Sequence, residues 1–140
     1  MRTVFIDDFV PVASSLLIAN ACLLSHGDDI ARDAALGVVP NALLMLGPAR
    51  ARSDSLVVPL VWSTSGRTPF VELQGDLQTG RLGPESTHLS LSASCQLAVD
   101  PPGHRAQEAA ARRAAEQSVR AFLERVGEAL ERRSRPIGLA

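Results

Sequence analysis

The chain has no lysine and no tyrosine; all fourteen basic residues among its 140 are arginine. Without lysine there is no Schiff-base amine and no phosphate-cradling P-loop ammonium, and without tyrosine there is no phenolic general acid. Cysteine is scarce as well. The two present, Cys22 and Cys95, lie far apart among apolar neighbours, and no Cys-x-x-Cys motif occurs. The three histidines (His26, His88, His104) are isolated from one another, so no local zinc-ligand spacing exists. Buried reduced thiols are the simplest reading of the cysteines, with a disulfide or a metal site as the alternatives. Long apolar runs are missing too. Residues 15–24 are too few to cross a bilayer, and residues 34–46 are interrupted by Gly37, Pro40 and Asn41, against a need for about twenty. Asp7 and Asp8 fall where a signal peptide would need its apolar stretch. A cytoplasmic protein without stable membrane insertion is the expectation.

What is present is the balance of a globular domain: 46% hydrophobic and 21% charged residues. One domain is expected over residues 1–133, followed by a tail at 134–140. The net charge of −1 argues against nucleic acid held by bulk electrostatics. The charge is nevertheless uneven. Residues 1–103 carry six arginines against ten acids, and residues 104–140 carry eight against five. Composition shifts at the same place, marked by Pro101-Pro102-Gly103, from Val/Leu/Ser-rich to Ala/Arg/Glu-rich.

Residues 3–12, rich in β-branched and aromatic side chains, read as a strand. Ser14 or Ser15 then caps a short helix to about residue 25, with Gly27 as its stop. Asp28 and Asp29 open a second short helix over 30–36, ended by Gly37. Residues 42–46 and 55–64 read as strands, and Pro59 in the latter points to an edge or a bulge. Strict alternation follows over 71–82 and 87–97. Leu73, Gly75, Leu77 and Thr79, then Thr87, Leu89, Leu91, Ala93, Cys95 and Leu97, take one face. Glu72, Gln74, Asp76 and Gln78, with His88 and a row of serines, take the other. That is an antiparallel hairpin wet on one side. Residues 104–133 form one long helix, about 45 Å at 1.5 Å per residue. Its apolar stripe is Ala115, Val119, Phe122, Leu123, Val126 and Leu130, and Glu108/Arg112, Glu116/Arg120 and Glu128/Arg132 stand at i,i+4.

The order strand, two short helices, antiparallel strands and long helix resembles the helix-grip fold of the SRPBCC/START-like superfamily. Local wording adds to this: LMLGPAR (44–50), VVPLVWST (57–64), PFVELQGDL (69–77), the strand from Thr87 through Leu89 and Leu91 to Cys95, and the helix run AEQSVRAFL (115–123) are similar to an uncharacterised bacterial SRPBCC-like group. Cys95 stands where that group has an aromatic, and Arg105-Ala106 where it has Asp-Arg. The resemblance spans about residues 40–130. It implies an α+β fold in which a curved antiparallel sheet wraps the last helix, with any cavity between the two. The superfamily includes lipid and steroid carriers, polyketide cyclases and aromatases, and fold membership does not choose among them.

On that implied wall the sequence places Trp62, Leu73, Leu77, Leu89, Leu91, Cys95, Phe122 and Val126, almost wholly apolar. Its polar members are Thr79, Thr87, Cys95 and, at the rim, Arg81, none of them a good general base. Glu72, Asp76 and His88 project outward, where a cross-strand pair is ordinarily solvated. Trp62 and Phe122 serve either as core or as pocket lining. Asp7-Asp8 and Asp28-Asp29 resemble metal ligands in type alone, and capping explains them more simply. The arginines of the last helix, neighboured by glutamates, read as a solvated face more than as a site for acidic lipid. The expected function is non-enzymatic binding of a hydrophobic or amphipathic small molecule, with no cofactor. The alternatives are a cyclase/aromatase-like enzyme, and a solid-core interaction domain forming a homodimer through an edge strand or through the apolar run at 16–24.

Overall fold

The computed structural model describes residues 2–65, 69–99 and 105–134. Gly66, the Pro101-Pro102-Gly103 junction, His104 and the tail from Arg135 lie outside the described residues. The elements run β1 (Arg2–Val12), α1 (Leu16–Val38), β2 (Leu43–Leu46), β3 (Arg50–Arg52), β4 (Ser55–Ser63), β5 (Glu72–Gly83), β6 (Ser86–Leu97) and α2 (Arg105–Ser134). The six strands make one antiparallel sheet in the order β1-β6-β5-β4-β2, with β3 also on β4. Helix α2 lies over β1 and β6, and α1 packs on α2 and reaches β2, β4 and β5. The core fills the space between the sheet and the two helices. No helix among the described residues is long and apolar enough to cross a membrane.

The two short helices expected after the first strand are one helix of 23 residues. Gly27, the expected stop, lies inside it, because the buried stripe Leu16, Ala19, Leu23, Ile30 and Ala34 keeps the same helical phase on both sides. Packing of that stripe outweighs the cost of one interior glycine, about 1 kcal/mol. Ser15 is the N-cap, its hydroxyl accepting from the Ile18 amide at 3.4 Å. Helix α1 runs through Gly37 to Val38, and the Val39 amide closes it on the Ala35 carbonyl.

Strand β3 has no counterpart in the sequence pattern, because Arg50, Ala51 and Arg52 are all exposed and present no apolar period. It follows β2 along the same side of β4, with β2 ending opposite Leu60 and β3 resuming opposite Val57. Pro59 sits at the break between them. Its carbonyl accepts from the Gly47 amide at 2.8 Å, so its missing N–H faces the gap.

The free edge of β1 is occupied by side chains of α2. Arg112 donates to the Phe5 carbonyl at 3.3 Å and Arg120 to the Phe9 carbonyl at 3.1 Å. Arg120 also pairs with the Asp8 carboxylate at 2.8 Å, which in turn accepts from the Phe9 amide. The Ala13 amide donates to Glu131 at 2.7 Å, and Arg2 pairs with Glu108 at 3.0 Å. Within α2, Arg112 pairs with Glu116 at 3.8 Å. The glutamate-first pairing expected inside the helix therefore gives way, for Glu108 and Arg120, to bridges onto β1.

Candidate functional site

Alternation in β4, β5 and β6 turns the expected wall residues toward α2, and the register aligns them. Trp62 stands opposite Leu73, Leu73 opposite Cys95, and Cys95 opposite Val4, one row across four strands. Leu77 and Leu91 form a second row with Val58. Phe122 and Val126 come down from α2. All eight wall residues join one cluster, and each is at most 1% exposed. A side chain bordering a space large enough for water would show accessible surface there. The walls therefore meet, and the interior is packed solid around these residues.

Three of the chain's five aromatic rings gather at one point in that interior. Trp62 meets Phe70 edge-on, with ring centroids 5.1 Å apart, and Phe122 at 5.2 Å in a tilted arrangement. Phe70 precedes β5, and its carbonyl accepts from the Thr64 hydroxyl at 2.5 Å.

The two buried threonine hydroxyls tie elements together. Thr79 donates to the Asn20 side chain of α1 at 2.6 Å and accepts from the Leu56 amide at 2.9 Å. Thr87 donates to the Ser14 carbonyl at 2.8 Å. Trp62 differs. Its indole N–H is fully buried and has no hydrogen-bond acceptor, the one buried side-chain nitrogen or oxygen so placed among the described residues. An unmade bond of this kind costs about 1–3 kcal/mol, and native interiors contain few of them. Cys95 is buried and unpaired, and burial pushes its thiol up to about 11. At neutral pH it is a protonated apolar side chain without nucleophilic character.

The opposite face of the sheet is open. A trough of about 860 Å³ crosses it from β1 to β2, lined among others by Phe5, Met45, Val61, Asp7, Gln74 and Asp76. Glu72, Asp76 and His88 belong to this outer face. Glu72 accepts from Gln74 at 3.2 Å, and the His88 ring stacks on Phe9 at 4.4 Å, so the three do not converge as an acid–base group. Asp7 accepts from Ser92 at 3.0 Å. Among the described residues no three His, Cys, Asp or Glu side chains come together to hold a metal.

Asp8 is the polar residue whose position the sequence reading missed. Val4, Ile6, Val10 and Val12 are buried on the inner side of β1, and the same parity carries Asp8 there, to the rim, where Arg120 meets it. The even-numbered alternation of β1 was the available signal.

The chain matches no family model and no curated protein sequence. Solved structures do match over nearly the whole length. The Zhui aromatase/cyclase from Streptomyces sp. R1128 is 17% identical, with 98% of this chain and 99% of that one covered and a TM-score of 0.53. A START superfamily protein from Mycobacterium smegmatis is 14% identical, with 93% and 96% covered and a TM-score of 0.50. Ara h 8.0201 is 6% identical, with 92% and 98% covered and a TM-score of 0.56. Identities this low establish the fold alone. The chain has the helix-grip fold of START-like proteins, as the resemblance in sequence implied.

Proposed function

We propose that the protein binds a hydrophobic or amphipathic small molecule between the sheet and α2, with the packed interior as its ligand-free form. One observation carries this reading: the side chains of Trp62, Leu73, Leu77, Leu89, Leu91, Cys95, Phe122 and Val126 make one continuous apolar surface, without a charged group, where the two walls meet. A ligand entering there replaces wall-to-wall contacts with wall-to-ligand contacts and exposes no ion to an apolar interior. Catalysis of the cyclase kind finds little support. Glu72, Asp76 and His88 face away, and Cys95 is held as the neutral thiol. The unpaired thiols Cys22 and Cys95 suit a reducing compartment, which favours the cytoplasm.

Incubating the purified protein with a mixed lipid and aromatic extract, then recording its mass under native conditions, tests the reading. Retention of one small molecule per chain, with a raised melting temperature, is expected; an unchanged mass and melting curve would overturn it.

A second reading has its own observation. The near-zero exposure of the wall residues fits a solid-core interaction domain, and α1 leaves Leu17 82% exposed beside the exposed Ile18 and Leu24. A concentration-dependent dimer mass in light scattering, together with no bound molecule, would favour it.

A further inference from the structure

Resting on the binding reading above, we infer that Trp62 Nε1 is the polar anchor of the site and that the ligand is a flat apolar molecule bearing a hydrogen-bond acceptor oxygen, of the ketone, ester or ether type. The buried hydroxyls of Thr79 and Thr87 each have a partner in the folded chain, whereas this donor has none. It lies within the wall, on the row that also contains Leu73 and Cys95. Its neighbours set the shape of what it meets. Phe70 and Phe122 flank the indole at 5.1 and 5.2 Å, a concentration of ring faces and edges that suits a planar skeleton. The charge of the ligand follows by the same reasoning. The indole only donates, so the group it recognises is an acceptor. Among the described residues no charged side chain is buried, so an ionised carboxylate would find no buried counter-charge beside Trp62 and the acceptor is neutral. The site thus discriminates between molecules of one shape by a single oxygen, since a pocket donor left unpaired by the wrong ligand penalises it.

Trp62 is the chain's one tryptophan, so its indole N–H gives one identifiable cross-peak in the NMR spectrum of isotope-labelled protein. Fluorene and fluorenone are the probes, planar tricycles that differ by a methylene against a ketone. Fluorenone is expected to bind roughly tenfold more tightly than fluorene and to move the indole proton downfield. Fluorene should bind without the downfield shift. In Trp62→Phe the preference for the ketone should fall to about onefold; the wild-type spectra decide the matter even if that variant folds poorly. Equal affinities with an unmoved indole proton would overturn the anchor and leave the apolar-binding reading standing. Failure of both probes to perturb the protein would overturn the anchor and the flat-ligand inference together, while the native-mass experiment decides the binding reading by itself.

Discussion

The two faces of the sheet are built from alternate residues of the same strands, yet they behave as different materials. On the inner face Leu73, Leu77, Leu89 and Leu91 are packed into the core beneath the two helices with no accessible surface beyond 1%. On the outer face Phe5 is 77% exposed, and a broad trough mixes Met45 and Val61 with Asp7, Gln74 and Asp76. Apolar content alone does not make the difference, since large apolar side chains occur on both. What differs is cover. The inner face has two helices across it; the outer has water, and there polar and apolar residues share one surface.

Substitutions can sharpen or break this contrast. The largest effect belongs to Phe122→Ala, which should lower stability by about 3–5 kcal/mol in urea titrations, while Phe5→Ala stays within about 0.5 kcal/mol. Comparable losses would mean that the outer face is covered in solution. Gly75→Ala comes next. Its added methyl would run into the Ser92 carbonyl and approach the Ala93 methyl to 2.6 Å, so a loss of about 1–3 kcal/mol is expected. A neutral outcome would show that β5 and β6 part easily at this point. Asp8→Asn should cost about 1 kcal/mol, and less at high salt, because it unties the rim where the inner face meets water.

Cys95 gives the smallest signature at neutral pH. Burial holds its folded pKa near 11, above the ordinary value of 9.0, so the neutral thiol is the form the native state prefers. Its contribution to stability is complete below about pH 9 and is lost as pH rises toward about 11, where the unfolded chain ionises first. Alkaline unfolding curves of wild type and Cys95→Ala should therefore converge as pH climbs through that window. Parallel curves would place water next to the thiol.

Much of this architecture was readable from period alone. Alternation fixed which residues of β5 and β6 share a face, and the three- and four-residue spacing in α2 found its stripe. Individual residues defeated the reading where tertiary contacts decide. Gly27 ends nothing, because α1 is held by its partner helix on both sides of it. Arg50 to Arg52 carry no pattern, since a strand exposed on both faces has none to show. Arg120 stands one turn from Glu116, yet it pairs with Asp8, more than a hundred residues distant in sequence. That the eight residues face the interior could be read from sequence. Whether their surfaces stand apart or touch depends on packing to within one methyl group, which periodicity does not encode.

The guanidinium and carboxylate groups spread along β1 have a consequence for how molecules of this chain can meet. With the Phe5 and Phe9 carbonyls and the Ala13 amide already satisfied, and no amide at Pro11, a seventh strand finds no continuous ladder to extend on that side. The other border is short and split at Pro59. Growth of the sheet from copy to copy, the route to ribbons and fibres, is thereby blocked at both ends. Self-association, where it occurs, is left to side-chain surfaces such as the exposed leucines of the first helix and the apolar residues of the outer face.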